Sequence, residues 1–201
     1  MTRVLVQIPA KNEALDIADV LQTIPKDIKG VDVLDTLLID DASSDDTVKL
    51  AIENGVTFVI QKHGHFGLAN SFSLGALFAV ANKYDILVNT DGDNQYFQEK
   101  IPHLIQPILD KKAELVIGDR QFRDLAHFSI AKKLFQKLGS KTVSMVAGQS
   151  ISDAASGFRA YSIDLLSRLN VTTKFSYAME TLIQSAHSDA RIVSVACGAK
   201  K

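Results

Sequence analysis

Asp91 and Asp93 stand on either side of Gly92 in the segment Asn89-Thr-Asp-Gly-Asp-Asn-Gln95. Carboxylates spaced i, i+2 just after a strand can both face one divalent ion. Mg²⁺ and Mn²⁺ take hard oxygen ligands of this kind and often share them with a bound phosphate. Gly92 reads as the residue whose freedom at positive φ lets the backbone turn tightly there. Asp and Gly are also ordinary turn residues, so the spacing alone leaves a plain turn open. A second acidic cluster, Asp40-Asp-Ala-Ser-Ser-Asp-Asp46, concentrates like charges that need a cation, donor groups or solvent. Ser44, Asp45 and Asp46 fit the N-terminus of a helix, where hydroxyls and acids are stabilising. Asp40 and Asp41 abut the preceding apolar run, where a carboxylate can accept hydrogen bonds from a nucleobase or ribose. In Pro9-Ala-Lys-Asn-Glu13, Asn12 reads as the N-cap of a helix beginning at Glu13.

These clusters need elements to position them. Short apolar runs at 4–8 (ended by Pro9), 36–39, 57–60, 85–88, 114–117 and 191–195 predict strands. Between them, periodic stretches predict helices over 13–23, 44–53, 68–83, 101–112 and 177–187, with Leu15, Ala18 and Leu21 on one face of the first. Residues 156–161 read as a connector. Fully apolar strands alternating with helices predict a mostly parallel sheet covered on both faces. Ligands of such sheets bind beyond the carboxyl ends of the strands. The three clusters all follow strands, so they should converge on one crevice.

The chain has 201 residues, 46% hydrophobic and 22% charged, with net charge −1. This suits a single domain, 1–201, with a substantial core. Near-zero net charge gives no bulk electrostatic case for nucleic acid as a partner. One cysteine, Cys197, excludes an internal disulfide and a cysteine zinc site, and reads as a small buried apolar residue. Reducing, cytoplasmic surroundings are the expectation. No apolar run approaches the roughly 18 residues of a membrane span. Residues 123–148 mix Phe128, Ile130, Leu134, Phe135 and Leu138 with Lys132, Lys133, Lys137 and Lys141. They read as a basic amphipathic helix, lying either on the sheet or in a membrane interface. The chain stops at Lys201, soon after the last strand, which suggests a truncated end.

The motifs Ile8-Pro-Ala-Lys-Asn-Glu13, Ile39-Asp-Asp-Ala-Ser-Ser-Asp-Asp-Thr47, Gly67-Leu-Ala-Asn-Ser-Phe-Ser-Leu-Gly75, Asp91-Gly-Asp-Asn-Gln95, Val116-Ile-Gly-Asp-Arg120 and Asp153-Ala-Ala-Ser-Gly-Phe-Arg159 occur in this order. Together they resemble a family 2 glycosyltransferase of the GT-A fold, and within it the dolichyl- or polyprenyl-phosphate hexose synthases. The resemblance spans about residues 3–195. It implies a Rossmann-like α/β sheet whose 1–120 half holds nucleotide-sugar and metal, and whose 121–201 half faces the acceptor. It implies inverting transfer of a hexose from a GDP- or UDP-sugar to a lipid phosphate, with Mg²⁺ or Mn²⁺ as cofactor. The enzyme would meet that acceptor peripherally, at the cytoplasmic membrane face.

Residue by residue, Pro9, Ala10, Asn12, Glu13 and Asp41 match positions that hold base and ribose. Asp91 and Asp93 match the metal pair, with Gly92 between them and Gln95 near the diphosphate. Arg120 matches a basic residue near the phosphates, and Asp153, Ser156 and Arg159 match the segment at the donor-sugar and acceptor side. A phosphate acceptor arrives ionised and needs no strong base. A saccharide hydroxyl would need one, and Asp153 or Glu180 could serve. Each also has a plain reading, as a loop cap and a solvent-facing helix residue. His63 and His65 flank Gly64 after a strand; with no third ligand beside them they read as loop residues able to line the crevice. A nucleotidyltransferase would need a Gly-rich basic phosphate loop, which Pro9–Glu13 lacks. A non-catalytic nucleotide-sugar-binding module stays open.

Overall fold

The computed structural model describes residues 1–121, 151, 153–172 and 177–200. The basic stretch 123–148 lies outside them. In chain order the elements are β1 (Arg3–Ala10), α1 (Ile17–Thr23), β2 (Val33–Asp40), α2 (Thr47–Glu53), β3 (Phe58–Gln61), α3 (Leu68–Ala81), β4 (Ile86–Asn89), a 3₁₀ turn (Gln98–Lys100), α4 (Ile101–Leu109), β5 (Leu115–Asp119), β6 (Arg159–Ser162), α5 (Ile163–Leu166), α6 (Tyr177–His187) and β7 (Ile192–Ala196).

The strands form one sheet in the order β3-β2-β1-β4-β6-β5-β7. β1 pairs in parallel with β2 and β4, and β2 with β3. Side chains alternate across the sheet, so β1 feeds two cores. Val4, Val6 and Ile8 pack with Ile17 and Val20 of α1 and Leu104 and Ile105 of α4. Leu5 packs on the other face with Ala69 and Phe72 of α3 and Leu182 of α6. Only a strand buried on both faces reads as an unbroken apolar run, and β1 is buried throughout after Arg3.

Three local expectations are corrected. Pro9 does not end β1; it pairs with Ile39 inside the sheet. Asn12 is no helix cap: α1 begins at Ile17 after Asp16, and Asn12 sits at φ 58°, a conformation Asn tolerates better than most residues. With the helix starting later, Leu15 points into solvent at 94% exposure. The third correction concerns 156–161, which is not merely a connector. Its end forms β6, antiparallel to both β4 and β5.

Candidate active site

The three clusters do converge. A cleft of about 280 Å³ opens at the carboxyl ends of β1, β2 and β4. Pro9, Ala10 and Glu13 form one part of its lining, Asp91, Gly92 and Asp93 another, and Asp41 lies between β2 and β3. Lys11, His65, Leu68 and Ser71 complete it. Gly92 has its place for a different reason than positive φ, which it does not adopt. A Cβ there would come within 3.0 Å of the Ala10 Cβ and 3.2 Å of the Glu13 Cγ, so glycine lets the acidic loop lie against β1.

Asp91 is seated by the second half of the chain. Burial, helped by the charge of Asp93, pushes its carboxyl up to about 6, against hydrogen bonds from Tyr96 and Asn89 and the charge of Arg120. Its Oδ1 is buried without a hydrogen-bond partner among the described residues. Gly157 lies so close that a Cβ would fall 3.0 Å from Asp91 Oδ2. The Gly157 amide donates to Tyr96 Oη at 2.9 Å, and its carbonyl accepts from Asn89 Nδ2 at 2.9 Å. Asn89 Nδ2 also donates to Tyr177 Oη, while Asn89 Oδ1 accepts from Gln7 Nε2 at 2.8 Å. Burial likewise raises Asp93 and Glu13, and in Glu13 the Asp93 charge adds to it. Asp91, Asp93 and Glu13 thus gather three carboxyls that burial makes harder to ionise. An orphaned buried oxygen in such a place suits a hard divalent cation.

Arg120 and Asp153 form a bidentate pair: Nε to Oδ2 at 2.8 Å and Nη2 to Oδ1 at 3.0 Å. Asp153 is 1% exposed. Burial works against the Arg120 charge, but the Asp153 carboxylate more than offsets it and holds the guanidinium ionised. That charge reaches Asp91 and Asp93, drawing both carboxyls down.

Several candidates stand elsewhere. Arg159 does not face the cleft. Fully buried, it donates to the carbonyls of Ser156 at 2.8 Å, Ala178 at 2.6 Å and Ala154 at 2.7 Å. Its five donors suit it to tying a loop to α6, not to touching substrate. Ser156 is buried too, accepting through Oγ from Phe158 N. Gln95 is exposed, and its backbone N–H donates to Asp93 Oδ1 at 3.3 Å. Asn12, also exposed, accepts from Ser44 N at 2.8 Å and so links the first two clusters. Glu180 accepts from Thr172 N and Oγ1.

Asp41 is in the cleft wall but heavily engaged. Burial acts to raise its carboxyl, yet Lys62 and the amides of Phe66 and Gly67 hold it down at about 2. Lys62 and Tyr96 escape a reading of the sequence. A lysine directly after a strand was the available signal for the first; nothing marked Tyr96 beyond its adjacency to Gln95.

The profile of the family described as Glycosyl transferase family 2 matches residues 5–169. An undecaprenyl-phosphate mannosyltransferase of Micrococcus luteus is 27% identical, over 96% of this chain and 82% of that one. A polyprenol monophosphomannose synthase of Mycolicibacterium smegmatis is 24% identical, over 85% of this chain and 65% of that one. Among solved structures, glucosyl-3-phosphoglycerate synthase from Mycobacterium tuberculosis, in complex with Mn²⁺, UDP and phosphoglyceric acid, superposes with a TM-score of 0.75. That likeness, at 21% identity over 98% of this chain and 69% of that one, is one of fold. With the family match running from β1 past α5, over the whole acidic cleft, the chain belongs to glycosyl transferase family 2 and is a glycosyltransferase enzyme of the GT-A fold.

Proposed function

We propose that the cleft binds a nucleoside-diphosphate hexose, GDP- or UDP-linked, and that the hexose passes with inversion to a polyprenyl phosphate. The observation that carries this reading is the buried, unpartnered Oδ1 of Asp91 beside Asp93 at the end of β4. Asp91 and Asp93 would hold Mg²⁺ or Mn²⁺. Among the described residues no cluster of three or more His, Cys, Asp or Glu could hold the ion alone. Donor phosphates and water would therefore complete its shell, as such ions prefer. When bound, the ion supplies positive charge that neutralises the departing diphosphate.

The chain's own residues do the rest. Pro9, Ala10 and Glu13 wall the nucleoside side, and Glu13 and Gly92 keep the acidic loop close to β1. Arg120, clamped by both oxygens of Asp153, fixes a second positive charge near the metal pair. A phosphate acceptor attacks with an oxygen that is already ionised. That suits Asp153, whose lone pairs are committed to Arg120. A hydroxyl acceptor would need that pair broken, or Glu180 released from Thr172. Acceptance of a lipid phosphate is supported by the names of the relatives in Micrococcus luteus and Mycolicibacterium smegmatis. Contact with the lipid at a membrane face is proposed for the lysine-rich stretch 123–148, on sequence grounds.

The test is calorimetric titration of UDP and GDP with and without Mn²⁺. Tight binding should require the metal, and Asp91→Asn should remove the metal dependence while keeping the wild-type melting temperature. Full Mn²⁺-dependent affinity in the variant would sink the metal assignment.

A further inference from the structure

Two loops meet behind Asp91, and Tyr96 joins them twice. Its ring stacks on Phe158, with centroids 5.2 Å apart and planes 17° from parallel. Its Oη accepts from the Gly157 amide at 2.9 Å. The packing of this buried ring would be met equally by a phenylalanine. A buried hydroxyl is costly unless it is paired, so the oxygen must have a use of its own.

That use concerns Gly157, which is held at both of its backbone polar groups. Tyr96 takes the amide, and Asn89 Nδ2 donates to the carbonyl at 2.9 Å. Asn89 and Tyr96 flank Asp91 in the chain, so the acidic segment grips Gly157 from two sides. Between them the glycine lies against the carboxylate: a Cβ would fall 3.0 Å from Asp91 Oδ2 and 3.2 Å from Oδ1. Gly157 has no positive φ, so what the site needs from it is the missing Cβ and not backbone freedom. The phenol hydrogen of Tyr96, which Gly157 does not use, bonds to Asp91 itself. Partners of this kind, one step removed from an ion, fix the orientation of the groups that bind it.

We infer that Tyr96 is a positioning residue for the cation: by locking Gly157 against the Asp91 carboxylate it sets the orientation in which that carboxylate meets Mg²⁺ or Mn²⁺, and it touches neither ion nor substrate. The inference rests on the metal reading of Asp91 and Asp93. Without the lock, Asp91 has further orientations to give up when the ion binds, and that lost freedom weakens the hold.

The experiment follows Mn²⁺ binding to the full chain by the paramagnetic resonance of the free ion, with saturating UDP or GDP, whichever the wild type binds more tightly. Tyr96→Phe keeps the ring on Phe158 and removes only Oη. Its Mn²⁺ dissociation constant should rise by about tenfold or more, the scale of losing a partner one step from the metal. Gly157→Ala keeps an allowed backbone but presses a Cβ on Asp91 Oδ2, and should show a loss of about the same size. In both variants nucleotide affinity at saturating Mn²⁺ should return to within about threefold of wild type, because excess metal refills the site by mass action. Tyr161→Phe is the comparison for lost stability. It removes another buried hydroxyl, one that lies 3.2 Å from Thr181 Oγ1, and should leave Mn²⁺ affinity within about twofold even where the melting temperature falls. Wild-type Mn²⁺ affinity in Tyr96→Phe would overturn the inference, as would wild-type affinity in Gly157→Ala should Tyr96→Phe fail to fold. So would an equal loss in Tyr161→Phe, or a loss of nucleotide affinity that saturating Mn²⁺ does not restore. If the wild type itself binds no Mn²⁺ with either nucleotide, the metal reading fails, and the role of Tyr96 falls with it.

Discussion

Lys62 and Asp41 are a buried ion pair, 9% and 5% exposed, with Lys62 Nζ also reaching Ser71 Oγ at 2.8 Å. Such a pair adds little over an apolar isostere, but breaking it strands a charge. Asp41→Asn should therefore cost about 3 kcal/mol of stability, read by urea unfolding. The acid limb should change as well. The Asp41 carboxyl lies at about 2 in the fold against an ordinary 3.8. Its contribution is fully present above the ordinary value and disappears as pH falls through it toward 2. Asp41→Asn should flatten the stability profile in that window, and an acid limb as steep as that of wild type would contradict the linkage. At this scale the sequence was informative about residue types and poor about partners. Asp91, Asp93, Glu13 and Asp41 could be picked out because acids after strands are conspicuous. Which of them is orphaned and which saturated depends on Tyr96, Gly157 and Lys62, brought in from other parts of the chain. Arg159 illustrates the same limit: an arginine beside a candidate site looks chemical, and only its burial against carbonyls shows it to be a brace.

At the scale of elements, α3 is pressed onto the sheet at Gly75. A Cβ there would lie 1.7 Å from Gln7 Oε1 and 2.9 Å from Ile39 Cδ1. Gln7 is bonded to Asn89, and Asn89 to Gly157 and Tyr177, so this contact is wired to the acidic loop. Gly75→Ala should destabilise by about 1–3 kcal/mol through overpacking. It should also weaken Mn²⁺-dependent nucleotide binding at temperatures where circular dichroism shows the fold intact. Binding equal to that of wild type would mean the relay does not position Asp91. The central strands were legible because a strand covered on both faces has no polar alternation to confuse it. β6 was not, because Arg159-Ala-Tyr-Ser162 is short, opens on a charge and follows a glycine turn. The start of α1 was misjudged for a local reason, since Asn serves equally as a cap and in the left-handed conformation seen at Asn12.

For the whole molecule, no helix among the described residues is long and apolar enough to cross a membrane. The full chain should sediment with anionic vesicles at low salt and be released as ionic strength rises, since headgroup attraction by lysines is screened. Absence of low-salt binding would remove the surface role of 123–148. The sheet order has a consequence for how the protein comes into being. β6 lies between β4 and β5, yet it is made after both. On the ribosome the middle of the sheet must wait, with the edges of β4 and β5 unsealed, until Ser162 has emerged. The Gly157 amide that meets Tyr96 and backs Asp91 arrives in that same late stretch. The frame that seats the two acids thus forms late, and a half-synthesised chain carries Asp91 and Asp93 without the backing of Gly157.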